Sequence, residues 1–137
     1  MKEVLDRLAG EKRHAGVRTV VDVDPKLRAG VAGAVVERIV SPLHANALRY
    51  ARSAVTLSAH ATREGVRIVV CDDGPGVPEA FVPHLFQPGR RAAPGVGHDG
   101  AGLGLALVMR LTRSVGGRVW HDAGTNNSAS FVVEVPG

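Results

Sequence analysis

The sequence has very little cysteine and few aromatic residues, and each scarcity excludes a class of protein. Its single cysteine, Cys71, rules out an internal disulfide and argues against a thiolate metal site. Aromatic side chains make up only 4% of the chain, so the core must be built from aliphatic residues. The same scarcity argues against stacking platforms for single-stranded nucleic acid.

Long apolar runs and dense charge runs are also missing. No stretch approaches the roughly 18 apolar residues that cross a membrane, and the charged N-terminus does not resemble a signal peptide. We therefore expect a cytoplasmic domain without direct membrane contact, whose parent protein could still be anchored in a membrane. The net charge of +4 is scattered along the chain, so no nucleic-acid partner is expected.

With 137 residues, 45% of them hydrophobic, the chain is long enough for one domain with a real core. Apolar periodicity predicts a short amphipathic helix within 1–16, which we treat as an N-terminal linker preceding a domain at 17–137. Further strands are predicted at 17–23, 55–60, 66–71, 118–121 and 130–135, and further helices at 26–52 and 102–115. This order predicts an α/β (α+β) two-layer sandwich, a mixed sheet covered on one face by about three helices.

Three local features make this prediction more specific. Asp24-Pro25 is interpreted as the cap and first position of the long helix. Pro42 should kink or split that helix, with Ser41 capping the second half. In the last helix the leucines at 103, 105, 107 and 111 are expected to pack inward together with Val108.

The stretch from Asp72 to Leu105 carries the strongest functional pattern. It begins with Asp72-Asp73-Gly74-Pro75-Gly76, directly after a buried strand, where glycine lets the backbone turn sharply and approach a ligand. A second glycine cluster, 100–104, opens a helix, and the free N–H groups of a helix start bind anions. An acidic acceptor and an anion cradle joined by a loop indicate a nucleotide site, with Asp73 as a turn residue.

The long helix adds a second set of polar side chains. Asn46, Arg49 and Tyr50 share a helix face at spacings of three and four residues. An amide oxygen suits Mg²⁺, and a guanidinium suits a phosphate. The alternative is that Asn46 is a surface or capping amide and Tyr50 a core residue.

Four segments in this order resemble the N, G1, F and G2 boxes of the ATP-binding domain of sensor histidine kinases, in the GHKL superfamily with the Bergerat fold. The segments are Asn46-Ala47 with Arg49-Tyr50, Asp72-x-Gly74-x-Gly76, Leu85-Phe86-Gln87-Pro88, and Gly100-x-Gly102-Leu103-Gly104-Leu105. The resemblance covers roughly residues 17–136.

The resemblance implies a role for each box. Asp72 would accept a hydrogen bond from the adenine amine and so select ATP over GTP, and Asn46 would hold Mg²⁺ as the catalytic and metal residue. The segment at about 81–101 would be the ATP lid, anchored by Phe86. Nucleotide binding is thereby assigned to Asn46, Arg49, Tyr50, Asp72, Gly74, Gly76, Val77, Phe86, Arg90, Arg91, Gly100, Gly102, Leu103, Gly104 and Leu105. The alternative for Arg90 and Arg91 is a solvated loop edge.

The function implied is binding of Mg-ATP and donation of its γ-phosphate to a histidine on a separate dimerisation and phosphoacceptor domain of the parent kinase, with a response regulator downstream. Little autonomous activity is expected. One departure is Pro42, where family members carry Asn or Glu. Two alternatives stay open. A serine kinase of the anti-sigma-factor type would phosphorylate a serine-bearing antagonist, and a degenerate nucleotide-binding interaction module would bind ATP without transfer.

Overall fold

A computed structural model describes residues 1–11, 16–74, 86, 103–122 and 129–137. Within these residues the helices are α1 (Lys2–Glu11), α2 (Gly33–Tyr50) and α3 (Leu103–Ser114), and the strands are β1 (Arg18–Val23), β2 (Ala54–Ala61), β3 (Gly65–Asp72), β4 (Arg118–Asp122) and β5 (Ala129–Pro136). Every strand predicted from the sequence is therefore confirmed, with ends that move by at most one residue.

The five strands form one mixed sheet in the order β1-β2-β3-β5-β4. β1 runs parallel to β2, whereas the β2–β3, β3–β5 and β5–β4 pairs are antiparallel. The β2–β3 hairpin is closed at Thr62, whose N–H donates to the Gly65 carbonyl at 2.8 Å. The predicted mixed sheet is confirmed.

The core lies between one face of the sheet and the helices. On β3, Val66, Ile68 and Val70 are buried, while the residues between them are partly exposed, as the two-residue period of a strand requires. Buried residues of α2, including Ile39 and Leu43, fill the space above them. This arrangement confirms the predicted two-layer sandwich.

The opposite face of the sheet carries an ion cluster at the end where β3 begins. The Glu134 carboxylate, only 7% exposed, accepts hydrogen bonds from Arg67 at 2.8 Å and from Arg118 at 2.5 Å. Both guanidinium groups lie 5.3 Å from the centre of the Trp120 ring. The hydrogen bonds from Arg118 and Arg67 lower the pKa of Glu134 to about 2.

Helix α1, predicted as a short amphipathic helix, packs onto this domain with its apolar face. Leu5 and Leu8 are fully buried in the common core, and Arg7 pairs with Glu37 of α2 at 2.8 Å. The boundary at residue 17 stays a prediction. Within the parts of the chain that the structure describes, none of the helices combines the length and the apolar character needed to cross a bilayer.

The predicted start of the long helix is wrong by seven residues. Asp24 does not cap a helix; its side chain accepts the Lys26 N–H at 2.9 Å, and its carbonyl accepts the Leu27 N–H at 3.0 Å. These bonds close a turn with Pro25 at its second position, a conformation that Asp-Pro favours as strongly as a helix start. The chain then crosses to Pro136, whose carbonyl accepts the Gly30 N–H, before α2 begins at Gly33.

Pro42 does not split helix α2, which is continuous from Gly33 to Tyr50. A proline in a helix interior removes one hydrogen bond and crowds the preceding turn. Here the turns on both sides, at Ile39–Val40 and Leu43–His44, are buried against the sheet. Tertiary packing of these apolar turns outweighs the local penalty, since most helical stability in proteins comes from such packing.

The inward face of α3 was also predicted too broadly. Val108 is 1% exposed, and Leu105 and Leu111 are half-buried, but Leu107 is 56% exposed. The helix is apolar nearly all round, so periodicity alone could not identify the side that meets the sheet. Its predicted end is confirmed: Gly116 has a φ of +81°, and the Gly117 N–H donates to the Thr112 carbonyl at 2.9 Å.

Candidate functional site

The topology brings the ends of three elements together at one end of the sheet. Helix α2 ends at Tyr50, and β2 begins four residues later. The second residue of β2, Val55, lies opposite Asp72, which is the last residue of β3. Helix α3 reverses through the tight turn at Gly116 into β4, so its N-terminus lies toward the Asp122 end of that strand. Asp122 lies at the same end of the sheet as Asp72, because the two residues pair with adjacent residues at the start of β5.

Asp72 is a buried carboxylate at this end. It is 3% exposed and lies on the helix-covered face of β3, and one of its oxygens accepts the Gly74 N–H at 2.8 Å. The structure gives the other oxygen no hydrogen-bond partner among the described residues. Burial raises the pKa of Asp72, against the opposing effect of the Gly74 N–H. One strong acceptor is thus available to a ligand donor.

Gly74 lies directly against the end of helix α2. A Cβ at this position would meet the Tyr50 carbonyl oxygen at 2.0 Å and an Asp72 carboxylate oxygen at 2.8 Å. Only glycine allows this approach of two backbone segments. The sequence-predicted residues Tyr50, Asp72 and Gly74 are therefore in one place.

Asn46 and Arg49 lie on the last turns of α2, close along the helix to Tyr50. All three are half-buried. Neither the Asn46 amide nor the Arg49 guanidinium makes a hydrogen bond or ion pair with another residue that the structure describes. Half-buried polar groups of this kind are available to a ligand, and an amide and a guanidinium suit a metal ion and a phosphate.

Phe86 packs on the same end of the sheet. Its ring meets Phe131 edge to face, with centroids 6.1 Å apart, and Phe131 in turn contacts His121 at 5.4 Å. Phe131 pairs in register with Val70, two residues before Asp72. Burial lowers the pKa of His121.

Helix α3 begins at the second glycine cluster. Leu103 is its first residue, which places Gly104 and Leu105 in the first turn, where backbone N–H groups have no partner within the helix. The positive end of the helix dipole therefore faces this end of the sheet. That is the arrangement that binds phosphate groups in many proteins.

Part of the predicted site lies outside the described residues. This holds for Gly76, Val77, Arg90, Arg91, Gly100 and Gly102, and for the lid segment apart from Phe86.

Sequence reasoning missed two residues at this end of the sheet. Asp73 was interpreted as a plain turn residue, but its carboxylate binds the link that follows helix α2. A second acidic residue before a glycine, next to a ligand-binding aspartate, is a signal that could have indicated this. No local sequence pattern marked Phe131 as the contact partner of Phe86. The one available signal was that the chain has only three phenylalanines, so a contact between two of them could have been considered.

Comparisons with known proteins agree with this geometry. The profile of the family described as histidine kinase-, DNA gyrase B- and HSP90-like ATPase matches residues 33–137. The adaptive-response sensory kinase SasA of Gloeothece citriformis (strain PCC 7424) is 26% identical over 138 residues, covering 98% of this chain and 35% of SasA. The chain thus spans about a third of that relative.

Two solved structures are similar over 98% of this chain. The mycobacterial sensor histidine kinase MprB has a TM-score of 0.81 at 24% identity, with 91% of its chain covered, which supports the fold. Full-length ShkA in complex with AMPPNP has a TM-score of 0.74 at 31% identity, with 28% of its chain covered. The identification made from the four boxes is confirmed: the chain belongs to the histidine kinase-, DNA gyrase B- and HSP90-like ATPase family, as an ATP-binding catalytic domain of the sensor histidine kinase type.

Proposed function

We propose that this domain binds Mg-ATP at the end of the sheet where Asp72 lies and presents the γ-phosphate to a histidine on a separate phosphoacceptor domain of its parent kinase. The observation that carries the proposal is the buried Asp72 carboxylate, with one oxygen bound to Gly74 and the other without a partner among the described residues. A carboxylate held in a fixed orientation by Gly74, with its second oxygen available, offers a defined acceptor to a ligand donor.

The chemistry of this carboxylate explains the choice of nucleotide. The exocyclic amine of adenine donates a hydrogen bond to the free oxygen, whereas guanine carries a carbonyl at the same position. Two acceptors would then face each other in a buried site, which disfavours GTP. Gly74, which approaches Tyr50 too closely to carry a side chain, would let the backbone pass beneath the base.

The other predicted residues would bind the rest of the nucleotide. Asn46 supplies an amide oxygen that suits Mg²⁺, which would neutralise charge on the phosphates when bound. Arg49 and the backbone N–H groups at Gly104, in the first turn of α3, would bind phosphate oxygens. Phe86, seated on Phe131, would anchor the lid segment at about 81–101.

Phosphoryl transfer needs little covalent chemistry from the protein, so the domain would act by positioning and charge stabilisation. A nitrogen of the attacking imidazole forms the new bond to the γ-phosphorus as the bond to the bridging oxygen breaks and ADP leaves. The proton on the imidazole passes to a base on the phosphoacceptor domain. A response regulator would then receive the phosphoryl group from the histidine.

Calorimetric titration with a non-hydrolysable ATP analogue, with and without Mg²⁺, tests the nucleotide site. The wild-type domain should bind in the micromolar to millimolar range, more tightly with Mg²⁺, and should not bind the matching GTP analogue. Asp72→Asn should lower the affinity at least about tenfold, since the amide can present a donor to a donor. The matched control is Asp22→Asn, at an exposed position on β1, which should bind like the wild type. Failure of the wild-type domain to bind would overturn the proposal.

A second candidate function follows from Pro42. Because α2 is continuous, Pro42 lies one turn before Asn46 and offers neither a metal ligand nor a base. This favours a nucleotide-responsive interaction module, which would bind ATP without transferring phosphate. Incubating the domain with radiolabelled ATP and an isolated phosphoacceptor domain distinguishes the two, since only a kinase labels the histidine.

A further inference from the structure

The side chain of Asp73 binds the short link between helix α2 and strand β2. One carboxylate oxygen accepts the N–H of Arg52 at 2.7 Å and that of Ser53 at 3.0 Å. The other accepts the Ser53 N–H at 3.1 Å and the Ser53 hydroxyl at 2.5 Å. The backbone N–H of Asp73 donates to the Ala54 carbonyl at 3.3 Å. One side chain thus holds two of the three residues of the link.

These bonds join the two halves of the candidate nucleotide site. On one side, Arg52 and Ser53 follow helix α2 after Ala51, and the last two turns of that helix carry Asn46 and Tyr50. On the other side, Asp73 lies between Asp72, the buried acceptor, and Gly74, which touches the Tyr50 carbonyl. A shift of the Asp73 carboxylate would therefore move one half of the site relative to the other.

We propose that Asp73 is a positioning residue for nucleotide binding: its carboxylate sets the separation between the last turn of helix α2 and the Asp72 carboxylate. This inference rests on the proposed function. Asp73 acts through the residues on either side and does not itself need to touch the nucleotide. The hydrogen bonds from Ser53 hold the pKa of Asp73 well below its usual range, so the carboxylate stays charged at every pH at which the site would work.

Two substitutions separate positioning from a general loss of stability. Asp73→Ala removes all four side-chain hydrogen bonds, whereas Asp73→Asn keeps one oxygen for the Arg52 and Ser53 amides and can donate to the Ser53 hydroxyl. The matched control is Glu134→Gln, which removes the charge of a carboxylate bound by two arginines at the opposite end of the sheet. Its thermal stability should fall, but its site should stay intact.

The experiment has two readouts on the folded 137-residue chain. Titration with a non-hydrolysable ATP analogue should give an affinity about tenfold or more below wild type for Asp73→Ala, and within about threefold of it for Asp73→Asn and Glu134→Gln. Amide hydrogen exchange without nucleotide should be faster at Arg52 and Ser53 in Asp73→Ala only, while Ile68, in the middle of β3, stays protected in all variants.

The outcomes distinguish this inference from the proposed function. If Asp73→Ala binds the analogue as tightly as wild type or as Glu134→Gln, or if exchange at Arg52 and Ser53 is unchanged, the inference is overturned and the proposed function stands. If wild type itself does not bind, the proposed function fails, and the inference with it. Rescue by Asp73→Asn together with faster exchange in Asp73→Ala supports the positioning role.

Discussion

A single methyl group added at Gly74 should push apart the two halves of the candidate nucleotide site. In Gly74→Ala the new Cβ would lie 2.0 Å from the Tyr50 carbonyl oxygen, whereas ordinary contact begins at 3.4 Å. The backbone of one segment must therefore move by roughly 1.4 Å, because a carbonyl oxygen cannot rotate away as a flexible side chain can. Overpacking of this kind costs about 3 kcal/mol, near the upper end of the usual range.

The displacement should weaken nucleotide binding while leaving the domain folded. A cost of about 3 kcal/mol lowers the Tm of a domain of this size by roughly 10 °C, which leaves it folded at room temperature. A shift of more than 1 Å between Tyr50 and Asp72 should reduce the affinity for a non-hydrolysable ATP analogue by about a hundredfold. Thermal unfolding and calorimetric titration of the same sample measure both effects.

Gly10→Ala provides the matched control for the added methyl group. A Cβ at Gly10, in helix α1, meets nothing within 4 Å, and alanine is preferred over glycine in a helix by about 1 kcal/mol. This variant should therefore gain a few degrees in Tm and bind nucleotide like wild type. If Gly74→Ala also bound like wild type, the contact between Gly74 and Tyr50 would have no part in the site, and the reasoning would be refuted.

Two further predictions concern stability. Pro42→Ala should raise the free energy of unfolding by about 1–2 kcal/mol, because it restores a hydrogen bond inside a continuous helix. The gain is reduced slightly because the unfolded chain becomes less rigid without proline. An unchanged or lower Tm would show that packing of the proline ring matters more than the restored hydrogen bond. Glu134→Gln should lower the free energy of unfolding at pH 7 by about 1–2 kcal/mol. The loss is no larger because the arginine partners are partly exposed and solvent screens the interaction. Because the folded pKa of Glu134 is about 2, below its ordinary value of 4.5, the stabilisation is complete above pH 4.5 and disappears as the pH falls toward 2. The Tm difference between wild type and Glu134→Gln should shrink over that interval, and a constant difference would contradict the assignment.

Local patterns determined the strands and the motifs of this protein. The alternation of apolar and polar residues in β2 reflects a sheet with one covered face, and β3 is recognisable as a short apolar, β-branched run. The glycines after Ser114 ended helix α3 where a left-handed residue was needed. The four boxes, in their order, were sufficient to identify the family.

Tertiary contacts decided the points on which local patterns were ambiguous. Asp24-Pro25 suits a turn and a helix start equally, and only the bond from Gly30 to Pro136 shows which path the chain takes. Pro42 stays inside α2 because the turns on both sides are buried, and Leu107 points outward because the sheet lies on the other side of α3. Each choice depends on a partner distant in sequence, which a local window cannot contain.

The sequence by itself determined which residues are equipped to bind a nucleotide: a carboxylate after a buried strand, an amide on a helix, and glycines at a helix start. Only the tertiary structure decided that Asp72 is buried with one unpartnered oxygen among the described residues, that Gly74 touches Tyr50, and that Asp73 holds the link between them. The physical reason is that residue type is encoded locally, whereas burial and separation depend on how strands and helices pack against each other.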